Sequence, residues 1–413
     1  MAEVDSMILG RAPHAVLLVG PGSIGKTTLA LDLAAGLLCN DPDPAARPYR
    51  ACRGCRQVAS GNHPDLHRLA PDGPGGQIRI GKASDPEPGT VRHLIGELAL
   101  LPVEGGARVV VVEQAHRLND DAQNAFLKML EEPPAGVTIV LCADDEECLL
   151  PTVRSRCVRV RLGAVGGREI ERWLGELGAA DAPRAARLAR LAEGRPGLAL
   201  AYAHSPDAER VRGEIARGIL DMLTARRGAR LASVRELMRS AGELDAALDE
   251  WRRDAAAAAA ADAGTAPATG RGKKGRAAKA ADPEEAPEAT PEATPDETAT
   301  PKVAAADRRS AAATLVAIWA SVARDLAVAR AGGARNIREM ELVDELPAIA
   351  PAVSAGTLDS FLAQLAAIDR QLDENVNPEL ALDVLALSWP RVEPRVGGAA
   401  TAAPGAGPAG RRR

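Results

Sequence analysis

The amino-acid sequence predicts an α/β domain, a parallel sheet with flanking helices, followed by a wholly helical remainder. Three observations carry that reading. Apolar runs at residues 15–19, 109–112 and 138–142 alternate with stretches whose apolar residues recur at helical spacing, the pattern of buried parallel strands joined by helices. No such run recurs after residue 163. Aromatic residues make up only 2% of a chain that is 46% hydrophobic, so the cores must rest on Ala, Leu and Val.

The elements follow in order. Residues 15–19 form a strand that runs into a Gly-rich turn, and a helix is expected over 27–38. Residues 109–112, four valines, are a second strand. A helix over 120–131 has Ala122, Ala125, Phe126, Met129 and Leu130 on one side and is stopped by Pro133-Pro134. Strands follow at 138–142 and 158–162, the last alternating Val158, Val160 and Leu162 with Arg159 and Arg161. Beyond it, helices are expected over 168–177 and 182–192, and from Pro196 to Ala203. Everything ordered from Asp207 onward reads as helix. Residues 255–306 are almost entirely Ala, Pro, Thr, Glu, Lys and Gly, with a basic block at 271–279 and prolines spaced through the acidic block that follows. Such a segment cannot bury enough apolar surface to offset its ordering entropy, so it is expected to be disordered. The Gly/Ala/Pro-rich tail, 393–413, is read the same way.

Bulk properties exclude some functions. The 413 residues suggest two or three domains. With 51 basic and 56 acidic residues, no broad basic surface dominates. So few aromatics argue against a base-stacking platform. No apolar run reaches the length of a membrane span, and the N-terminus lacks a signal-peptide pattern. The expectation is a cytoplasmic protein without a membrane partner, whose six cysteines are thiols or metal ligands. The basic block at 271–279 is read as a solvated tether in preference to a DNA contact.

Gly20-Pro21-Gly22-Ser23-Ile24-Gly25-Lys26-Thr27 matches the Walker A pattern in full, between a strand and a helix. Its glycines let backbone N–H groups close around phosphates, and the helix N-terminus adds a field that favours anions. Lys26 would reach the outer phosphates of ATP, Thr27 would ligate Mg²⁺, and Thr28 follows in the same turn. Hydrolysis needs more: a carboxylate near the metal and a second one to activate water. The strand 109–112 ends in Glu113-Gln114. Glu113 can serve near the metal, but the amide of Gln114 cannot take a proton from water.

The stretch Asn124-Ala125-Phe126-Leu127-Lys128-Met129-Leu130-Glu131-Glu132-Pro133-Pro134 resembles a signature of the bacterial AAA+ clamp-loader subunits of DNA polymerase III. Ser155-Arg156-Cys157 and Gly61-Asn62-His63-Pro64-Asp65 resemble two more, in matching order, over roughly residues 10–200. The resemblance implies an AAA+ P-loop domain (1–163, with a Cys-containing insert at 39–65), a small helical lid (164–205) and a helical collar (206–392) interrupted by the linker at 255–306. It implies a role in loading the sliding clamp onto primer-template DNA, with the delta and tau/gamma subunits as partners. Arg156 matches the arginine that the family supplies in trans to ATP bound by a neighbour.

This sequence departs from the family's motor subunits at three places. Gln114 stands at the general base, and Ala143-Asp144 stands where a polar γ-phosphate sensor is usual. Gly197 replaces the lid arginine, with Arg195 two residues away. These departures favour the delta-prime branch, binding ATP without turnover, over a motor-type, tau/gamma-like ATPase. Cys39, Cys52 and Cys55 match three of the family's four zinc-binding cysteines, and Tyr49 stands at the fourth. Two readings remain open: zinc completed by His63 or water, or free thiols. Cys142, Cys148 and Cys157 are expected to be core or near-core residues.

Overall fold

Alternation along each apolar run divides its side chains between two cores. The computed structural model describes residues 2–9, 12–71, 76–104, 106–264, 300–373 and 376–392. Five parallel strands, β1 (Ala15–Val19), β2 (Leu66–Leu69), β3 (Arg108–Val112), β4 (Val137–Ala143) and β5 (Val158–Arg161), lie in the order β2-β3-β4-β1-β5. Leu17, Val110, Val112, Ile139 and Leu141 face one core, and Val16, Leu18, Val109, Val111 and Val140 face the other. All ten are buried to 1% exposure or less, each worth about 1.5–3 kcal/mol over an exposed position.

Helices cover both faces. α1 (Ala2–Leu9) and α2 (Lys26–Leu37) pack on one through Val4, Ile8, Ala30 and Leu33. A Cβ at Gly36 would come within 2.5 Å of Ile8, so that glycine lets the two helices meet. α3 (Arg53–Ala59) lies in the Cys-containing insert. α4 (Val91–Leu98) and α5 (Asp120–Glu131) cover the second face through Leu94, Leu98, Phe126 and Leu130. After α6 (Pro151–Arg154) and β5 come α7 (Gly167–Glu176), α8 (Ala182–Leu191), α9 (Pro196–His204), α10 (Pro206–Asp221), α11 (Arg227–Gly264), α12 (Thr300–Arg330), α13 (Leu346–Ile349), α14 (Ala355–Asp373) and α15 (Pro378–Ser388).

The described residues cluster into two compact units. One comprises Met1–Arg210 and Gly242–Ser310, the other Val211–Ala241 and Ala311–Arg413. The second unit gathers its few aromatics into one cluster, with ring centroids of Trp319, Phe361 and Trp389 separated by 4.7–5.8 Å. The buried Arg230 donates to the carbonyls of Trp389, Pro390 and Leu223. It thereby ties the end of α15 to the turn before α11. Arg212 and Glu339 form a buried pair at 2.6 Å.

Four expectations change. β2 joins the sheet although Leu-His-Arg-Leu carries no long apolar run, because an edge strand needs burial on fewer sides. α11 continues to Gly264 and α12 begins at Thr300, so the ends of the low-complexity segment, 255–264 and 300–306, are helical. Alanine runs are strong helix formers once a packed helix has nucleated them. Its centre, 265–299, and the tail, 393–413, lie outside the described residues. Residues 307–330 of α12 are long and apolar enough by composition to cross a membrane, correcting the expectation that no run reaches that length. Of that apolar window, 61% is buried inside the fold, as in the core helix of a helical unit. Cys148 is exposed rather than near-core, whereas Cys142 is buried in β4.

Candidate nucleotide-binding site

The Gly-rich turn leaves the C-terminal edge of the sheet between β1 and α2. Its glycines are demanded by space and by backbone angle. A Cβ on Gly20 would sit 2.5 Å from the Leu162 carbonyl oxygen, and Gly25 has φ 104°, in the region that favours glycine. Ser23 also adopts positive φ, 62°. Lys26 is 7% exposed. Its Nζ donates to the carbonyls of Gly20 and Pro21 at 2.6 and 2.9 Å and pairs with Asp144 at 2.8 Å. Asp144 follows β4, whose neighbour is β1, so an acid stands where the family's motor subunits place a polar sensor. Its Oδ2 lies 3.2 Å from where a Gly22 Cβ would be.

Two of the other residues singled out in the sequence, Glu113 and Gly197, are engaged in structural contacts. Glu113 accepts two hydrogen bonds from Arg68 of β2, at 2.9 and 2.6 Å. Gln114 takes up a left-handed conformation with φ 52°. Gly197, at the start of α9, donates its N–H to the Ser23 carbonyl at 3.0 Å. A Cβ there would meet that oxygen at 2.9 Å. The backbone at the start of α9 therefore rests directly on the P-loop.

Arg156 lies at the other edge of the sheet. It follows α6 and precedes β5, whose register runs from Val158 beside Val16 to Arg161 beside Val19. Leu162, the next residue, touches Gly20. The four-residue span from Val158 to Leu162 alone puts roughly 13 Å between the start of β5 and the P-loop. The Arg156 side chain is 34% exposed and pairs with Glu131 at the end of α5. It also donates to the Thr152 carbonyl at 2.9 Å. The buried Gln123 of α5 donates to the Leu118 and Cys148 carbonyls and accepts the Leu150 N–H at 2.7 Å. The two motifs read separately in the sequence are one assembly, in which α5 braces the segment that carries Arg156.

Asp65 of the Gly-Asn-His-Pro-Asp motif is 1% exposed. It accepts the N–H groups of Val103 and Glu104 at 2.8 and 2.9 Å. Through Asp65 that motif staples a loop. His63 Nδ1 accepts the Asp65 N–H, and Nε2 faces Glu104 at 3.9 Å. Burial holds the imidazole below its usual range, against the charges of Glu104 and Asp65.

The sulfurs of Cys39, Cys52 and Cys55 lie within 4.8 Å of one another, and Cys39 and Cys52 are 3.7 Å apart. A zinc–sulfur bond of about 2.3 Å gives a tetrahedral edge of about 3.8 Å, so the three donors fit that metal with one position open. Among the described residues no His, Cys, Asp or Glu completes the group, and His63 is not part of it. A Cβ at Gly54 would meet the Leu38 carbonyl oxygen at 2.5 Å, which is why the turn between the paired cysteines holds glycine. Burial opposes ionising Cys52, but hydrogen bonds from the backbone of Cys55 and Asn40 and from the neighbouring thiols bring it down to about 7. Burial, then the Cys52 thiol, pushes Cys55 up to about 12. The N–H of Tyr49 points at the Cys39 sulfur at 3.4 Å, while its ring is exposed.

The first half of the chain is similar to known proteins. Residues 4–165 match the family model described as DNA polymerase III, delta subunit. The chain is 35% identical over 222 residues to the DNA polymerase III subunit delta' of Pseudomonas aeruginosa, covering 53% of this chain and 64% of that one. It is also 35% identical over 198 residues to the subunit tau of Escherichia coli, covering 47% of this chain and 29% of that one. A solved DNA polymerase III gamma subunit-related protein of Thermotoga maritima aligns over 94% of this chain and 97% of its own, at 16% identity and TM-score 0.37. The chain spans less than two thirds of the length of the curated relatives it matches.

Proposed function

We propose that this chain, similar over its α/β region to the delta-prime type of DNA polymerase III clamp-loader subunits, acts as such a subunit and binds Mg·ATP without turning it over. In the same reading it lends Arg156 to a neighbouring subunit. The observation that carries this is the contrast at one sheet edge: a complete P-loop beside a Gln114 that cannot act as base and a Gly197 that leaves no room for a lid arginine. Thr27 would meet the metal, and Glu113 would reach it only by giving up Arg68. The partners are the delta and tau/gamma subunits, and through them the sliding clamp and primer-template DNA, in the cytoplasm. The division into residues 1–163, 164–205 and 206–392 belongs to the same reading.

The test is calorimetric titration of the isolated chain with Mg·ATP, together with steady-state phosphate release. Binding lost in Lys26→Ala and no release above background are expected. Turnover near one per second by wild type, lost in Lys26→Ala, would support the motor-type reading, which the intact Lys26 and Thr27 favour.

Zinc belongs to the proposal as well. Cys39, Cys52 and Cys55 would hold it with water in the open position, and the metal would cross-link α3 to the end of α2. Tyr49→Cys places a thiol whose backbone already adjoins Cys39. The variant should retain one zinc per chain through dialysis against a chelator that strips wild type, as read by metal analysis. Equal retention in the two would exclude an open fourth position.

A further inference from the structure

Two side chains of α11 reach other elements of the same compact unit, one the end of α9 and one the P-loop. Trp251 stacks on His204 at the end of α9, ring centroids 5.5 Å apart and planes within 8°. The next residue, Arg252, brings its guanidinium to the P-loop, 3.3 Å from Ser23 Oγ. Asp249, one turn earlier, takes the other side of that guanidinium at 2.7 Å. Ser23 is also where the Gly197 N–H docks. The lid backbone and the α11 arginine therefore converge on one loop residue, and the position that cannot carry a cation lies beside one that does.

We propose that Arg252 is a phosphate-binding residue of this P-loop, a cation supplied in cis by α11 for a nucleoside triphosphate. The proposal rests on the reading that the P-loop binds nucleotide. Its chemistry is that of a guanidinium beside a ring of backbone N–H groups. The planar fork matches phosphate oxygens in two-pronged contacts, and a phosphate close to Ser23 would draw it from Asp249, since both partners of that pair are half-exposed and weakly bound. His204 and Trp251 are positioning residues, holding this turn of α11 against α9.

The full-length chain would be titrated with Mg·ATP as wild type, Arg252→Ala, Arg252→Gln, Arg252→Lys and Lys26→Ala, each checked for an unchanged thermal midpoint. Loss of a hydrogen-bonded cation on phosphate should raise Kd about tenfold or more in Arg252→Ala and Arg252→Gln. Arg252→Lys should recover part of the loss. Wild-type or tighter binding by Arg252→Ala, with binding still lost in Lys26→Ala, overturns the proposal and leaves the P-loop reading intact. No binding by wild type overturns both. A second measurement needs no variant: Mg·ATP at saturation should protect Arg252 of the wild-type chain from phenylglyoxal, mapped by peptide mass. Equal modification with and without nucleotide also overturns it.

Discussion

The two edges of the sheet hold their charged side chains in different ways. At the C-terminal edge the P-loop is complete, yet its neighbours are committed elsewhere: Glu113 to Arg68, Lys26 to Asp144 and the loop carbonyls, Gly197 to the Ser23 backbone. At the opposite edge Arg156 is half-exposed and braced by α5 through Gln123 and Glu131. Under the proposed function the first edge would hold a ligand and not react with it. The other carries a partly exposed guanidinium that pairs with Glu131 of the same chain. Under the proposed function the difference teaches that binding and lending can be kept without turnover, because the two would occupy different ends of β1 and β5.

The largest effect expected from breaking this comparison is at Arg156. In a loader reconstituted with the other subunits, Arg156→Ala should lower DNA- and clamp-stimulated ATPase. An arginine finger contributes roughly a thousandfold or more at the site it serves, and coupling between sites sets how far the steady-state rate follows. The variant's own stability should change by under about 1 kcal/mol, since a half-exposed ion pair contributes little. Arg156→Lys should not recover the rate fully, because an ammonium lacks the planar fork. Wild-type ATPase in a complex shown by size exclusion to be fully assembled would sink the lending role.

Restoring the missing lid arginine should fail. In Gly197→Arg the new Cβ would press on the Ser23 carbonyl oxygen, 2.9 Å away. Because that neighbour is backbone, the lid or the loop must shift. A loss of about 1–3 kcal/mol in chemical unfolding is expected, with weaker Mg·ATP binding and no gain in phosphate release. Hydrolysis by this variant would show that the C-terminal edge lacks only one group.

The smallest effect concerns Asp144. Its carboxylate occupies Lys26 and adds negative charge where phosphates would lie. Asp144→Asn should tighten Mg·ATP binding a few-fold, read by the same titration, as one like charge near a half-exposed site is removed. Weaker binding would mean that Asp144 acts on the metal instead.

Much of the α/β region was legible in the sequence. The runs at 15–19, 109–112 and 138–142 became strands nearly to the residue, since a strand buried on both faces admits only apolar side chains. Helix Asp120–Glu131 was bounded by Asn119, whose side chain accepts the Ala122 N–H, and by the prolines after it. The P-loop was legible because its residue pattern is local, although Gly25 alone answers to its own backbone angle and Gly20 to the distant Leu162. β2 was missed because its four residues mix His and Arg with leucine, and its pairing with β3 is decided by distant chain. The helical ends of the 255–306 segment were missed because composition alone does not record that a packed helix extends into an alanine run.

Sequence by itself determined the elements whose signals are local: strand runs, the helix cap, the Gly-rich turn and the paired cysteines. The family resemblance located Gln114 and Gly197 as departures, and residue type then says that an amide is no base and a glycine no cation. Tertiary structure decided what those residues touch. That Lys26 meets Asp144, that Glu131 meets Arg156, and that Arg252 reaches Ser23 across 229 positions of chain follows from how strands and helices pack. Contacts between residues far apart in the chain depend on the path of everything between them, and no local pattern carries that information.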